Sequence, residues 1–343
     1  MSNSICVVIP AYNRTEELSE LLDSVLLQVA LPDNVLICED YSPEREKIIA
    51  LYNAYSKRFE EKGVGFQLSL NDVNLGYDKN VRKCLHEASA DWAIIMGNDD
   101  ILLPNCIDTV KRFIEKNNVK FISRAFLRFV DSVDKPKGMS SLFNQDTIIS
   151  PEIHSPKYIF RSAGFVGGLV INLCFAKKHE TDKYDGSLYY QIYLATLAYL
   201  AGGIGYISTP IIGGRADNPP MFGQSEDDKE FHIPGSYSAK GRARMWQGVL
   251  DITKDIDESR GTNLITDIKK ELCVRQSFHV FEMNAGQPYV VLKELKSELV
   301  RLGLFNHPLP IGLYLFNIVF GNISRLGYSF IRRVLQRNRK GGV

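Results

Sequence analysis

The sequence predicts an α/β protein in which a mostly parallel sheet is flanked by helices and followed by a helical C-terminal extension. Three observations carry this. Short apolar runs with no polar face recur through the first 125 residues, as in strands buried on both sides. Strand and helix patterns alternate there, which is the pattern of a parallel sheet with helices on both faces. Beyond residue 232 helical periodicity dominates to about residue 303.

Taken in order, residues 5–9 form an apolar strand closed by Pro10, and Leu18, Leu21, Leu22, Val25 and Leu26 then recur at helical spacing. A second short strand, 35–38, closes on Glu39 and Asp40. Ser42-Pro43 opens a helix that Ile48, Ile49, Tyr52, Tyr55 and Phe59 carry towards Gly63. Residues 66–70 alternate like a strand, and 80–89 read as a helix. The run 93–96 is a buried strand ending abruptly in Gly97-Asn98-Asp99-Asp100, and Pro104 starts a helix to about Lys116. Residues 120–123 make another strand. The stretch to Arg215 is mixed: a polar loop at 131–146, a helix start at Ser155-Pro156, an apolar stretch at 165–171, a helix at 188–200 and a strand at 204–207. Residues 216–232, rich in Pro, Gly and acid, read as a mobile loop or linker.

The chain of 343 residues is long enough for one large domain or two modest ones, and 45% hydrophobic with 24% charged residues is ordinary for a globular protein. Its net charge of +1 is unevenly spread: from Leu299 onward there are seven Arg or Lys and no Asp or Glu. The six cysteines show no CxxC spacing and sit mostly in apolar runs, the pattern of buried thiols in a reducing compartment. A first strand at Ile5 leaves no room for a signal peptide, so a cytoplasmic location is expected. Residues 308–324 carry no charge and precede Arg325, Arg332, Arg333, Arg337, Arg339 and Lys340. Pro310, Gly312, Asn317, Gly321 and Asn322 weaken a membrane-spanning helix there. Two readings remain open: a helix lying in the membrane interface, or a C-terminal helix packed on the body with a frayed basic end.

Chemistry concentrates at the end of the 93–96 strand. Asp99 and Asp100 are adjacent carboxylates that repel each other and need a cation or strong donors. In open α/β sheets, ligands bind outside the carboxyl ends of strands, where this pair falls. Hard oxygen ligands favour Mg2+ or Mn2+, and such an ion usually bridges substrate phosphates. The competing reading is a solvated loop and a helix cap.

Four motifs in order, within residues 5–105, resemble the inverting glycosyltransferases of family 2, which have the GT-A fold. They are Val8-Ile9-Pro10-Ala11-Tyr12-Asn13-Arg14, Glu39-Asp40, Asn74-Leu75-Gly76-Tyr77-Asp78-Lys79-Asn80-Val81, and Gly97-Asn98-Asp99-Asp100 with Pro104. The third and fourth look most like bacterial enzymes of O-antigen and surface-polysaccharide assembly, including abequosyltransferase-like members. The resemblance fades beyond residue 125.

The resemblance implies a metal-dependent hexosyl- or deoxyhexosyltransferase that uses a nucleotide-diphosphate sugar, with UDP ahead of CDP or dTDP. A lipid-linked saccharide acceptor at the cytoplasmic face of the inner membrane is implied too, with the tail as peripheral anchor and no nucleic acid partner. It makes Asp40 the acceptor for the base, Pro10, Ala11 and Tyr12 the lining of base and ribose, and Arg14 a phosphate contact. Gly76 opens a helix whose Lys79 or Asn80 faces the diphosphate or sugar, while Asn98 and Asp99 contact the donor. Asp99 and Asp100 hold Mg2+ or Mn2+. Each residue also has a plainer role open to it: a turn cap for Asp40, core for Tyr12, a surface ion pair for Arg14 and a solvated helix position for Lys79.

Two departures stand out. The first Asp of the family's Asp-x-Asp-Asp is Gly97, as in the subgroup named above. The Glu-Asp pair that usually supplies the general base falls, counted back from Gly202-Gly203, at Tyr190-Gln191. Neither is an ordinary base. Asp185 is the substitute, with Asp182 behind it, though each is equally a loop or cap Asp. Gly167-Gly168 would let an acceptor approach the backbone, or simply make a tight turn. Domains are accordingly expected at 1–215 (a nucleotide-sugar half, 1–125, and an acceptor half, 126–215), 216–303 as helical extension and 304–343 as tail. A non-catalytic nucleotide-sugar-binding subunit is the alternative function. A nucleotidyltransferase would need a Gly-rich basic loop after the first strand, and residues 10–14 are not one.

Overall fold

The computed structural model describes residues 3–226 and 228–340. Chain contacts divide it into two compact units, Met1–Ser236 and Tyr237–Val343.

The first unit is built on a ten-stranded mixed sheet. Strands β1 (Ile5–Ala11), β2 (Asn34–Glu39), β3 (Gly65–Leu70) and β4 (Trp92–Ile95) alternate with helices α1 (Thr15–Leu26), α2 (Arg45–Glu61) and α3 (Tyr77–Glu87). β5 (Ile101–Leu102), α4 (Cys106–Lys116), β6 (Phe121–Phe129), β7 (Gly138–Ser140), β8 (Thr147–Ile149) and α5 (Lys157–Ala163) follow. The unit then runs through β9 (Leu169–Asn172), α6 (Leu173–Lys178), α7 (Tyr190–Leu200) and β10 (Ile204–Arg215). The order across the sheet is β3-β2-β1-β4-β9-β6-β10-β5, with β7 on β6 and β8 on β10.

β1 pairs in parallel with both β2 and β4, because the α1 and α3 crossovers lie on opposite faces. Along β1, Ile5, Val7 and Ile9 pack into one core with Leu18, Leu21 and Leu22 of α1, Ile48 and Phe59 of α2, and Ile107 and Val110 of α4. Cys6 and Val8, which alternate with them, are also buried, on the face towards α3. Both faces are covered, which is why these strands read as unbroken apolar runs.

In the middle of the sheet β9 breaks the parallel pattern. It runs antiparallel between β4 and β6. The apolar stretch 165–171 therefore divides into a turn at Gly167-Gly168 and a central strand. The loop at 131–146 carries β7, and Thr147 opens β8, both short antiparallel additions. β10 is longer than the expected 204–207 strand: it continues past a register shift between Ile207 and Ile212 to Arg215. α7 has no charged residue and is buried nearly all round, as a helix enclosed by protein must be.

Residues 216–236 belong to the first unit, so the boundary lies at Ser236, not at Arg215 as the composition of the segment suggested. The second unit is helical: α8 (Ala239–Arg260), α9 (Ile265–Glu271), a π turn, α10 (Ser277–Met283), α11 (Tyr289–Arg301), α12 (Pro308–Phe320) and α13 (Ser324–Lys340). Ser238 caps α8 by accepting from Gly241 N at 3.0 Å, and Gly261 ends it in the left-handed conformation. The expected separate tail is part of this unit. Leu304, Leu313, Tyr314 and Tyr328 are buried, and Asn317 donates to Tyr328 Oη at 2.7 Å and accepts from Ser324 Oγ.

On its other side the α12–α13 hairpin exposes Leu315, Val319, Phe320, Ile323, Leu326 and Phe330. By length and composition alone the run Pro308–Arg332 could cross a membrane, and most of its apolar stretch is not buried. Gly321 and a 3-10 turn interrupt it. The side chains of Arg333, Arg337, Arg339 and Lys340 lie outside the described residues. All six cysteines are free thiols, and Cys174 alone among them is exposed.

Candidate active site

The strand order sets the site. β1 has parallel neighbours on both sides, so the carboxyl ends of β2, β1 and β4 open side by side where the topology switches direction. Hydrogen bonds lock the three ends together. Asp40 N donates to Ala11 O at 2.9 Å, and Asn98 Nδ2 donates to Asn13 O at 2.8 Å. Among the described residues the only non-glycine positive φ angles are at Asn13, Arg14, Tyr41 and Leu188. The first three follow β1 and β2 directly, and the fourth precedes α7. Backbone strain of this kind costs about 1–3 kcal/mol per residue and gathers at functional sites.

Asp99 and Asp100 lie at the end of β4. Asp99 Oδ1 and Asp100 Oδ2 flank the point where a Cβ on Gly97 would sit, at 3.2 and 2.9 Å from it. Glycine at 97 thus leaves the space between the two carboxylates open. Asp99 Oδ2 accepts from Arg14 Nη1 at 2.5 Å and from Asn218 Nδ2 at 2.9 Å. Asp100 is buried, and its Oδ1 accepts from Arg215 N at 3.1 Å. Burial, then the neighbouring Asp99 charge, pushes the Asp100 carboxyl up to about 8, against the pull of Arg215 N and the Arg124 and Arg14 guanidiniums.

Two hard oxygens converging under that repulsion fit a divalent cation. No group of three His, Cys, Asp or Glu side chains able to hold one stands together among the described residues. The remaining ligands would therefore be phosphate and water, as Mg2+ commonly has.

Asp40 is nearly buried, and its carboxylate is spent on the loop entering α3. Oδ1 accepts from Leu75 N and Asn71 Nδ2, both at 2.7 Å, and Oδ2 accepts from Gly76 N at 2.9 Å. This is an anchoring arrangement, and it differs from the expected base-reading carboxylate. Asn80 departs further from expectation. Its Nδ2 donates to Cys38 O at 3.0 Å and its Oδ1 accepts from Asn71 Nδ2 at 3.1 Å, so the amide faces the sheet and no crevice. The reason is the helical period: Asn80 shares the inward face of α3 with Val81 and Cys84. Lys79 is half-buried, close enough for its charge to act on Asp185. Ala11 is buried, which leaves only its backbone to line a ligand, and Pro10 is half-buried beside it.

The segment 216–236 is a strap over these strand ends. Tyr12 Oη donates to Gln224 Oε1 at 2.6 Å, and Arg14 Nη2 donates to Pro219 O. Phe222 meets the Tyr77 ring edge-on at 6.1 Å. A Cβ on Gly76, whose φ is +78°, would lie 2.6 Å from Ser225 Oγ, so the strap rests on this glycine. Asp228 secures the strap from within, accepting from Gly223 N and from Ser225 N and Oγ.

On the other side of α3, Asp185 Oδ2 accepts from Arg82 at 2.6 Å, while Asp185 Oδ1 is buried with no partner. Burial raises this carboxyl, with Arg82 and Lys79 pulling it down. Asp182 is exposed, and Tyr190 and Gln191 are buried. Asp78 is also buried. It accepts from Leu188 N at 2.7 Å, Tyr190 N at 3.0 Å and Ser187 Oγ at 3.3 Å. Burial nevertheless pushes its carboxyl up to about 7.

A pH dependence follows. Asp in an unfolded chain titrates near 3.9, so the folded protein binds the extra Asp78 proton between about 4 and 7. The associated stability is complete below about 4 and is lost as pH rises through about 7. Asp78→Asn should reduce the fall in unfolding free energy across that range by up to about 1.4 kcal/mol per pH unit. Urea titrations at closely spaced pH check this, and an unaltered slope would mean that the carboxyl titrates normally.

Arg124, Arg215, Asn218, Gln224 and the capping role of Asp78 were not legible from motifs. Arg124 did leave a signal, as a charge set among the fully buried first residues of β6, whose other arginine, Arg128, lies nearer its end. Nothing in the composition of 216–236 separates a strap from a linker.

Comparison with known proteins agrees with this architecture. The model of the family described as "Glycosyl transferase family 2" matches residues 6–166. An uncharacterized glycosyltransferase of Haemophilus influenzae is 26% identical over 121 residues, 34% of this chain and 37% of that protein. Abequosyltransferase RfbV of Salmonella typhimurium is 22% identical over 227 residues, 62% of this chain and 67% of that protein. Among solved structures, S. aureus TarS 1–349 in complex with UDP superposes with a TM-score of 0.55 at 14% identity, covering 94% of this chain and 92% of that one. Mannosyltransferase PcManGT from Pyrobaculum calidifontis, in complex with GDP-Man and Mn2+, gives 0.50 at 14% identity, covering 94% and 88%. The fold is thus shared with GT-A glycosyltransferases, and residues 6–166 match glycosyl transferase family 2, a family of transferase enzymes.

Proposed function

We propose that this chain is a metal-dependent inverting glycosyltransferase that moves a sugar from a nucleotide-diphosphate donor to a lipid-linked saccharide during bacterial surface-polysaccharide or O-antigen assembly. One observation carries the reading: Asp99 Oδ1 and Asp100 Oδ2 converge on side-chain-free Gly97 at the topological switch point. The relatives support it: TarS has been solved with UDP and UDP-GlcNAc, PcManGT with GDP-Man and Mn2+, and RfbV is named an abequosyltransferase.

In this reading the donor lies across the ends of β1, β2 and β4 beneath the strap. Pro10, Ala11 and Tyr12 line the base and ribose, and Asp40 holds the Gly76 loop so that the start of α3 faces phosphate. Arg14 and Lys79 supply positive charge around the diphosphate. Asp99 and Asp100 would hold Mg2+ or Mn2+, whose Lewis acidity offsets charge on the departing nucleoside diphosphate. Asp185 is the base we assign, because its Oδ1 has no partner among the described residues and burial raises its basicity. A second reading, a nucleotide-sugar-binding subunit without transfer, draws on the buried Tyr190 and Gln191 where the family has carboxylates.

A thermal-shift screen of UDP-, CDP-, GDP- and dTDP-sugars, each with and without Mn2+, tests the donor site. The expected result is a Mn2+-dependent rise in melting temperature for one nucleotide, UDP first. No shift with any of them would overturn the reading. Donor binding without transfer across an acceptor panel would favour the second.

The exposed apolar face of α12–α13, with Arg325 and Arg332 beside it, supports peripheral attachment to the anionic cytoplasmic leaflet of the inner membrane. A Leu326→Glu/Phe330→Glu double variant removes two exposed side chains, each contributing about 1.5–3 kcal/mol if buried in lipid. It should lose at least about tenfold in binding to phosphatidylglycerol-containing vesicles in a sedimentation assay. Equal binding by the variant would remove the tail from the membrane reading.

A further inference from the structure

We propose that Asp78 is a positioning residue for sugar transfer: from the first turn of α3, its carboxylate holds the left-handed turn at Leu188 and so sets the start of α7 against the donor crevice. This rests on the glycosyltransferase reading of the site.

The geometry is that of a clamp. The two oxygens of Asp78 take the strained residue's own amide hydrogen, Leu188 N at 2.7 Å on Oδ2, and that of Tyr190 two residues on, at 3.0 Å on Oδ1. Ser187 Oγ adds a third donor at 3.3 Å. Leu188 has φ 60°, and for a residue with a Cβ the left-handed conformation costs about 1–2 kcal/mol. It also makes the two amides converge on one acceptor. Tyr189, the N-cap of α7, offers no side-chain cap, so the orphan N–H at the helix start is satisfied from another helix. Negative charge there also complements the helix dipole.

The other end of the clamp is the donor crevice. Two residues before Asp78, Gly76 N is held by Asp40 and its Cα is covered by Ser225 of the strap. One residue before it, Tyr77 donates to Gln191 Oε1 at 3.1 Å and meets Phe222 of the strap edge-on. One turn of α3 therefore touches the crevice floor, the strap and the first turn of α7. Asp78 fixes the spacing between the first and the last. Simple packing would ask only for a side chain of this volume, whereas the clamp asks for two acceptor oxygens.

Asp78→Asn separates the two. It keeps the volume and one acceptor but presents an NH2 group to the second amide. At pH 8, hydrogen exchange at the Leu188 and Tyr190 amides should accelerate about tenfold or more, while exchange at the amides of β1 stays close to wild type. With UDP-N-acetylglucosamine, or whichever nucleotide sugar binds, and a polyprenyl diphosphate-linked disaccharide, kcat should fall about 10- to 100-fold with the donor KM unchanged. Leu188→Gly introduced into Asp78→Asn should restore part of the lost kcat, because glycine adopts this φ without strain.

Wild-type kcat in Asp78→Asn, or a double variant no faster than Asp78→Asn, overturns the proposal. If Asp78→Asn fails to fold, folding and transfer by the double variant support the clamp, and failure of both overturns it. Amide exchange needs no substrate. It therefore reads the clamp even if wild-type protein transfers nothing, a result that would sink the proposed function instead.

Discussion

Asp99→Asn is expected to lower Mn2+-dependent sugar transfer by about two to three orders of magnitude while leaving the melting temperature of the ligand-free protein near wild type. The carboxylate is partly exposed, and its Oδ2 already has Arg14 and Asn218 as partners. An amide therefore costs little in folding, but it removes the charge that a divalent cation needs. Asp100→Asn should give a similar loss of transfer. Its buried carboxyl, pushed up to about 8, is held near Asp99 at a cost that a bound cation would relieve. Initial rates over a Mn2+ titration distinguish the outcomes. Full transfer in both variants, or wild-type transfer that does not depend on Mn2+, would remove the cation from the reading. Arg14 provides a control, since Arg14→Gln takes away the competing guanidinium and should tighten Mn2+ binding even if transfer slows.

Arg124→Ala should cost about 3–5 kcal/mol of stability, the range seen when one member of a buried charged group is removed. Arg124 is buried in β6. Its guanidinium donates to Phe165 O at 3.0 Å and to Gly167 O, and it lies over the rings of Phe126 and Phe165. Burial brings its pKa down to about 10, with the Asp100 charge opposing that fall. Truncation leaves two carbonyls without that donor, Asp100 without a buried guanidinium whose charge acts on it, and a cavity beside Gly168. There, a Cβ would already lie 3.0 Å from Arg124 Nε. Arg124→Lys should retain the charge but lose the flat guanidinium that lies over the rings of Phe126 and Phe165, giving a smaller loss. Urea unfolding of both variants measures the difference, and a loss below about 1 kcal/mol for alanine would show that the guanidinium is not integral to the turn at 165–168.

The acidic pair depends on that turn as well. Gly167-Gly168 lies between Arg124 and Asp100, because a Cβ on Gly167 would collide with Asp100 Oδ2. Glycine here is a packing requirement of the acidic pair, which neither the tight-turn nor the acceptor-approach reading of the sequence included.

Local chemistry was enough to read the strands and helices of the first 116 residues. β1 to β4 and α1 to α4 are legible because doubly covered strands are unbroken apolar runs, and because Pro and the acidic stops mark their ends. The placement of Asp40, Asp99 and Asp100 at strand ends follows from the same local signals. What each side chain binds did not follow, since it depends on partners far away in sequence. Asp40 is taken by Leu75 and Gly76, Arg14 by Asp99 and Pro219, Asn80 by Cys38 and Asn71, and Asp78 by Leu188 and Tyr190. The antiparallel insertion of β9, the strap at 216–236 and the boundary at Ser236 likewise needed the folded chain. Apolar periodicity records whether a residue is covered, which a sequence carries locally. Hydrogen-bond partners and strand direction are settled by contacts between residues tens to hundreds of positions apart, and only the tertiary structure brings those together.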